Sequence, residues 1–355
     1  MTLDSNKFSK IKKYAGYFLP FFLMAIFLYL AFRNVNFGET LHLISNVSFK
    51  YLLVFLIVFM LSHYIRALRW KFILNSIKNN TSVLNLFGAT MIGYGVNSAV
   101  PRLGELYRAM FLGRWEGISR TSILGSVIVE RVVDILSLLI SVLISVMIFS
   151  GNLYEQIPWL ESAIIVGSVI ILSIIIFIIL LIRYKQNFYN KILKFAGKIS
   201  QTLAEKLAYI FHTLIDGFAS LKGTKNYFMT IFLTIIMMIV YGYNSLLGFY
   251  LLGMNEIQTV TYGMAWILMT ISAFGIIIPT PGGTGSYHLI VISVLVSIFG
   301  FNKEVSSAYA LLTHLISYLV FIGSTIFFVY FINRKRVKLG AKSENFFSVF
   351  KKSSL

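Results

Sequence analysis

Six long stretches of this chain are almost entirely apolar, and they limit it to folds that cross a membrane. They cover residues 14–32, 50–69, 121–149, 160–182, 227–252 and 305–332. Each stretch reaches the roughly 20 residues that an α-helix needs to span the bilayer core. Only 12% of all residues are charged, about half the usual share in soluble domains. The sequence therefore predicts an all-α polytopic membrane protein with about six full transmembrane helices.

Two further apolar segments, 83–100 and 259–300, are interrupted by proline and glycine. The first break reads Asn-Ser-Ala-Val-Pro-Arg-Leu-Gly-Glu at 97–105, and the second reads Pro-Thr-Pro-Gly-Gly-Thr-Gly at 279–285. Backbone that leaves the helix at membrane depth is tolerated only where protein or a wet cavity satisfies it. Paired interruptions in two halves of a membrane protein point to a transport site. The pattern favours a carrier over a passive membrane anchor.

Basic residues in the loops determine the predicted orientation. They cluster in the N-terminal tail, after the fourth span and after the last span, which places these regions on the cytoplasmic side. The segment after the first break is also basic, so a complete crossing by the first broken segment would violate the rule. Two re-entrant hairpins remove the conflict and make units 50–149 and 227–332 an inverted repeat. Two complete crossings in place of each hairpin would give similar hydropathy.

The remaining organisation follows from the same charge pattern. Residues 1–340 form one predicted integral membrane domain, and residues 341–355 form a cytoplasmic tail. Segment 186–222 is predicted to be an amphipathic helix, either on the inner membrane surface or packed against the cytoplasmic ends of the spans. Cytoplasmic lysines and arginines explain the net charge of +18 without nucleic acid as a partner. A prokaryotic cytoplasmic membrane is the expected location, with both termini inside.

Charged residues occur in two of the apolar helices. Arg66 and Arg69 share one helical face at the inner end of a span, where they either snorkel to the interface or bind phosphate. Glu130, Arg131 and Asp134 lie inside another span. Ionisable groups are unfavourable there unless they face a partner or a cavity, so a functional role is the default hypothesis. The structural alternative is a buried ion-pair network that fixes packing.

The two breaks supply the other candidate residues. A helix that restarts after Gly104 would point backbone N–H groups into the hairpin mouth, beside Arg102, Glu105 and Arg108. Near the second break, His288 is a candidate for donating to phosphate or carrying a proton. A salt-bridge cluster and a packing histidine are the respective structural alternatives. The predicted substrate-binding residues are Arg66, Arg69, Asn97, Pro101, Arg102, Gly104, Glu105, Arg108, Glu130, Arg131, Asp134, Pro279, Pro281, Gly282, Gly283, Gly285 and His288.

Four motifs, taken in order, resemble one family. They are Arg-x-x-Arg-Trp at 66–70, Pro-Arg-x-Gly-Glu with a following arginine at 101–108, Glu-Arg-x-x-Asp at 130–134, and Pro-x-Pro-Gly-Gly-x-Gly at 279–285. In order and spacing the chain resembles the flippase-like family that includes the transmembrane region of lysylphosphatidylglycerol synthases, a UPF0104-type group of integral membrane proteins. The resemblance covers nearly the whole chain.

Two positions depart from the family pattern. Arg102 directly follows Pro101 where the family often has one residue between them, and His288 stands where the family usually has glutamate. The resemblance implies movement of a phospholipid or lipid-linked headgroup between leaflets, with the phosphate held by arginines. In the synthases a soluble aminoacyl-transferase domain follows; here it is expected to be missing, so lysyl transfer is not expected.

The expected partners are membrane lipids: an anionic or aminoacylated phospholipid, or a polyprenyl-linked headgroup. A homo-oligomer is left open. No catalytic residue, metal or cofactor is predicted, because metal-ligand spacing and nucleotide motifs are absent. The alternatives are an integral-membrane transferase acting on lipid phosphate and a small-ion channel or exchanger. Alanine at Glu130 or Arg131 is expected to abolish transport while leaving membrane insertion intact.

Overall fold

The computed structural model describes residues 3–75, 77–149 and 223–350, with a few isolated residues between 162 and 201. Helices dominate these ranges, and none of the described residues lies in a β-strand. The helices there, numbered in chain order, are α1 Leu3–Phe32, α2 Phe37–Ser45, α3 Phe49–Leu74, α4 Val83–Ala99, α5 Gly104–Glu116, α6 Arg120–Ile148, α7 Thr224–Leu251, α8 Met254–Ile257, α9 Tyr262–Ile277, α10 Ser286–Ser297 and α11 Lys303–Lys338.

Four of these helices are long and apolar enough to cross a membrane, namely α3, α6, α7 and α11. The last part of α1 and all of α2 count as a fifth if they form one span, although their axes differ by 89°. The predicted span 160–182 and the predicted amphipathic segment 186–222 lie outside the described residues. The all-α polytopic membrane fold is confirmed, while the number of full spans and re-entrant hairpins stays a prediction.

The outward faces of the candidate spans carry the apolar side chains that a bilayer requires. On α11 the exposed residues Leu315, Leu319, Ile322 and Ile326 follow one another at three- and four-residue spacing, so they form one stripe along the helix. A soluble protein rarely exposes so large an apolar patch. In a membrane, the same stripe would face the apolar lipid tails, which are a favourable environment for these side chains.

Polar side chains cap several of the helices. Asn36 Oδ1 accepts the backbone N–H groups of Gly38 and Glu39 at the start of α2. Asn302 Oδ1 accepts the N–H of Val305 at 2.8 Å at the start of α11. A helix end leaves its first N–H groups without an intrahelical partner. These caps matter most in a membrane protein, where water is not always available to replace them.

The described helices group into two compact units that draw on distant parts of the sequence. The unit we call the hairpin unit comprises Met1–Ser62, Thr90–Arg108 and Val240–Ser343, and the unit we call the ion-pair unit comprises His63–Ala89, Ala109–Ile239 and Glu344–Leu355. Each predicted site residue falls in one unit or the other. The predicted single domain, its inverted repeat and the 341–355 tail stay predictions.

The second broken segment folds into a helix, a tip and a second helix. Helix α9 packs against α10, and α10 packs against α11 and α1. The core of the hairpin unit lies among these helices and the end of α7, where the ring of Phe249 sits 5.2 Å from Tyr309 and 5.9 Å from Phe301. The tip at Pro281–Gly283 packs against α1 and α9.

Part of the predicted C-terminal tail packs against protein within the ion-pair unit. Arg114 on α5 places Nε 3.7 Å from Glu344 Oε1 and donates from Nη2 to the carbonyl of Ser348 at 3.4 Å. Val349 is completely buried. The segment from Glu344 to Phe350 is therefore anchored to the C-terminal half of α5.

Candidate functional site

Four charged side chains form a network that joins α3 to α6 in the ion-pair unit. Arg66 Nη1 donates to Glu130 Oε1 at 2.8 Å and to Asp134 Oδ2 at 2.9 Å. Arg69 Nη2 donates to Asp134 Oδ1 at 2.5 Å and to Glu130 Oε1 at 3.3 Å. Each arginine thus contacts both carboxylates. The arrangement is possible because each pair occupies one helical face, with a spacing of three residues on α3 and four on α6.

The network is buried and internally neutral. The side chains of Arg69 and Glu130 have no exposed surface, and that of Arg66 is 8% exposed. Two guanidinium groups face two carboxylates, so their formal charges cancel, as burial in a low dielectric requires. Arg131 stands at the edge with 40% of its side chain exposed, and its Nη1 lies 3.5 Å from Asp134 Oδ2. It is the fifth member of this cluster and the most accessible one.

Hydroxyl groups support the network from neighbouring turns. Arg69 Nη1 donates to Thr234 Oγ1 of α7 at 3.2 Å, and Trp70 Nε1 donates to Ser126 Oγ of α6 at 3.0 Å. Neither Thr234 nor Ser126 was among the residues predicted from the sequence. Ser126 carried a weak signal, since it lies four residues before Glu130 and so shares its face. No sequence signal pointed to Thr234, because nothing in the sequence relates α7 to α3.

The first break lies in the hairpin unit, where α4 and α5 meet backbone to backbone. A Cβ added to Gly104 would overlap the carbonyl oxygen of Gly93, and a Cβ on Gly93 would lie 3.1 Å from the carbonyl oxygen of Gly104. Helix α5 begins at Gly104, as the sequence indicated. Its first N–H is not directed at a ligand, because Asn97 Oδ1 accepts it at 2.7 Å. Asn97 therefore closes the hairpin.

Arg102 occupies the tip of this hairpin in a strained backbone conformation. Its φ is 66°, in the left-handed region that costs a non-glycine residue about 1–2 kcal/mol. The residue is exposed, and its Nη2 lies 3.5 Å from the carbonyl oxygen of Ile277 at the end of α9. The neighbouring Val100 and Leu103 and the adjacent Ile276 are also exposed. An exposed cation thus lies beside exposed apolar side chains.

The other predicted site residues of the first break are close to Arg102 in the sequence. Pro101 and Glu105 are partly exposed. Arg108, one turn after Glu105, is only 3% exposed. Its aliphatic stem packs on Gly93, since a Cβ there would lie 3.3 Å from Arg108 Cβ and Cδ. Arg102 is therefore exposed and Arg108 is buried, although the sequence predicted both as substrate-binding residues.

The second tip depends on glycine. Gly282, Gly283 and Gly285 have φ values of 55°, 79° and 88°, which glycine adopts without penalty. Pro281–Gly283 form one 3-10 turn, and Pro279 is partly exposed at its entry. Gly285 also approaches α1, because an added Cβ would lie 2.7 Å from the carbonyl oxygen of Met24.

Tyr318 of α11 contacts both tips through one hydroxyl group. It donates to the carbonyl of Pro281 at 2.7 Å and lies 3.2 Å from the carbonyl oxygen of Ser98. The same oxygen is 2.7 Å from Thr284 Oγ1. A Cβ on Gly282 would overlap this hydroxyl, which explains a glycine at that position. Nothing in the sequence pointed to Tyr318, because a tyrosine in an apolar helix is no signal by itself.

His288 has a structural partner at the second tip. Its Nδ1 accepts the backbone N–H of Gly285 at 3.2 Å, closing the first turn of α10. Its ring lies 4.6 Å from that of His314 on α11. His314 Nε2 in turn lies 3.2 Å from Thr284 Oγ1. The sequence treated His314 as an isolated residue, since 26 positions separate it from His288.

Comparison with known proteins agrees with the resemblance of the motifs. Residues 17–324 match the family described as the lysylphosphatidylglycerol synthase TM region. A UPF0104 membrane protein of Methanocaldococcus jannaschii is 25% identical over 314 residues, covering 84% of this chain and 88% of that protein. No solved structure matches. Because the family match spans most of the chain and both breaks, this protein belongs to the lysylphosphatidylglycerol synthase transmembrane-region family.

Proposed function

We propose that this protein moves a phospholipid or a lipid-linked headgroup between membrane leaflets, with Arg102 as the residue that contacts the phosphate. Family membership supports a lipid-related membrane protein. It would act in the cytoplasmic membrane of a prokaryote, with both termini in the cytoplasm. An experiment must establish which class of lipid is bound and that it moves between the leaflets.

The observation that carries the proposal is the setting of Arg102. Arg102 is held at a φ of 66°, and backbone strain of this kind clusters at ligand-binding positions. Its guanidinium suits bidentate binding of phosphate. The exposed Val100, Leu103 and Ile276 beside it suit an acyl chain. A cation next to apolar surface matches the two halves of a lipid.

The buried arginines have a different role in this proposal. Arg66 and Arg69 are already neutralised by Glu130 and Asp134, so a phosphate would have to displace a carboxylate to reach them. We assign the network to the empty state, where it holds α3 to α6. Arg131, with 40% of its side chain exposed, is the member that an incoming headgroup would meet first.

We propose Glu105 as the residue that contacts a positively charged amino group on the headgroup. It is partly exposed and lies three residues after Arg102. A carboxylate so placed suits an amino group on a zwitterionic or aminoacylated headgroup. An anionic lipid without an amine would use Arg102 alone. Comparing lipids that differ only in this amine therefore tests which class is preferred.

Replacing Arg102 by glutamine is expected to slow lipid movement at least about tenfold, because a charged hydrogen bond to phosphate contributes about 1.5–3 kcal/mol. The measurement is leaflet accessibility of labelled anionic, zwitterionic and aminoacylated phospholipids in liposomes that contain the purified protein. Arg334→Gln is the matched control, since Arg334 is also exposed and hydrogen-bonds to Tyr330 on its own helix.

A second variant separates function from folding. Arg102→Gly fits the left-handed conformation without strain, so it is expected to be no less stable than the parent while moving lipid as slowly as Arg102→Gln. Unchanged lipid movement in both Arg102 variants would remove Arg102 from the mechanism. Chemical modification of the headgroup, instead of movement, would favour the transferase alternative.

A further inference from the structure

We infer that His314 is a proton-binding site that controls the contact between the two hairpin tips through Thr284 and Tyr318. The ligand is a proton, and its effect is to separate the tips. The site rests on the geometry of the hairpin unit, while its link to lipid movement rests on the proposed function.

A continuous series of polar contacts leads from His314 to both tips. His314 Nε2 lies 3.2 Å from Thr284 Oγ1, and Thr284 Oγ1 lies 2.7 Å from the Tyr318 hydroxyl. That hydroxyl reaches the carbonyl of Pro281 at 2.7 Å and that of Ser98 at 3.2 Å. The series ends on one carbonyl of each tip.

The number of available protons determines which group donates in each hydrogen bond of the series. Carbonyl oxygens only accept, so Tyr318 must give its single hydroxyl proton to a tip. Thr284 must then donate its own proton to the Tyr318 oxygen. His314 Nε2 must therefore carry a hydrogen and donate to Thr284. This assigns the Nε2–H tautomer to His314 and leaves Nδ1 as the atom that can take a further proton.

His288 is prevented from taking that proton by its own hydrogen bond. Its Nδ1 accepts the N–H of Gly285 at 3.2 Å, so protonation there would set two N–H groups against each other. The two rings lie only 4.6 Å apart, and two adjacent imidazolium charges would repel. Within this pair, His314 is the one that titrates.

Among the residues that the structure describes, no counter-charge faces His314 when the tips are in contact. The titratable groups whose rings face it are Tyr287 and His288 of α10 and Tyr318 of its own helix. Helix α1 contributes Phe32 against His288, and the tip contributes Thr284. Neither histidine has an ion-pair partner in the part of the chain that the structure describes.

A buried imidazolium without a counter-charge is unfavourable. Protonation of His314 therefore favours the arrangement in which the tips separate and admit water or an anionic headgroup. The sign follows from linkage: the tip contact prefers neutral His314, so the contact is kept at high pH and lost as pH falls. Under the proposed function, lipid movement speeds up as pH falls.

The absence of cysteine from the chain makes a direct test possible. Val100→Cys introduces a single thiol at the exposed first tip, and an environment-sensitive fluorophore is attached before titration, so labelling chemistry does not vary with pH. The full-length protein in liposomes is titrated from about pH 8 to about pH 3.5, which covers the ordinary histidine range and its acid side. The emission shift is expected in the parent and lost in His314→Gln, which keeps a donor for Thr284.

Two more variants keep the test decisive. Tyr318→Phe removes the hydroxyl that reaches both tips, so its emission should resemble the acid form at every pH. Thr284→Val leaves His314 in place but interrupts the series, so the pH response should also be lost. A parent-like transition in both His314→Gln and Thr284→Val would overturn the inference.

Lipid movement measured on the same liposomes separates this inference from the proposed function. A His314-dependent emission shift without lipid movement would contradict the proposed function and support the proton site. Lipid movement that depends on Arg102, with no pH-dependent shift of the tip probe, would support the proposed function and overturn the proton site.

Discussion

Replacing Glu130 by alanine is expected to lower the free energy of unfolding by about 3–5 kcal/mol, the usual effect of removing one partner of a buried ion pair. The side chain of Glu130 is fully buried and contacts both Arg66 and Arg69. Without it, the guanidinium groups of Arg66, Arg69 and Arg131 would share the carboxylate of Asp134. The loss is measurable as unfolding of the purified protein in detergent or nanodiscs.

Arg131→Ala is the matched control for this prediction. Arg131 is adjacent in sequence, but 40% of its side chain is exposed and its Nη1 lies 3.5 Å from Asp134. An exposed pair of this kind contributes about 0–1 kcal/mol, so this variant should unfold close to the parent. The sequence alone predicted the same loss of transport for both variants. Equal stability of Glu130→Ala and Arg131→Ala would mean that the network does not hold α3 to α6.

Replacing Gly104 by alanine is expected to disrupt the first hairpin. The added Cβ would overlap the carbonyl oxygen of Gly93 and lie 2.7 Å from the carboxamide of Asn97. Overpacking generally costs about 1–3 kcal/mol, and here the obstacle is backbone, which cannot change rotamer. We therefore expect an effect at the upper end of this range, seen as reduced thermal stability and altered labelling of a single cysteine at Val100.

Gly323→Ala tests whether glycine replacement as such is harmful. Gly323 lies inside α11 with no atom within 4 Å of an added Cβ. Alanine favours the helix over glycine by about 1 kcal/mol, so this variant should be at least as stable as the parent. If Gly104→Ala behaved in the same way, the two arms of the hairpin would not be in backbone contact.

The fold class was readable from the sequence because apolar runs of bilayer length have few alternative folds. The start of α5 at Gly104 and the tip at Pro281–Gly283 were equally readable, since proline and glycine act locally. The predicted span 14–32 did not reveal the 89° turn into α2. That turn follows Asn34, whose φ of 62° is not indicated by any apolar pattern.

Contacts between distant helices were not readable. The sequence placed Glu130 and Asp134 on one face and suggested Arg131 as a partner, but the shortest bonds come from Arg66 and Arg69. More than sixty positions separate these partners, and their pairing depends on how α3 packs against α6. Helical periodicity fixes which residues share a face; it does not specify the neighbour.

The backbone contact between Gly93 and Gly104 has a mechanical consequence. Because no side chain separates the arms there, no rotamer change can let one arm slide past the other. Thr325 of α11 touches Gly95 of the same arm and donates to the carbonyl of Met91 at 3.1 Å, so α11 supports that arm on both sides of Gly93. Where Gly93 meets Gly104, any relative motion of the two arms therefore requires the backbone itself to move.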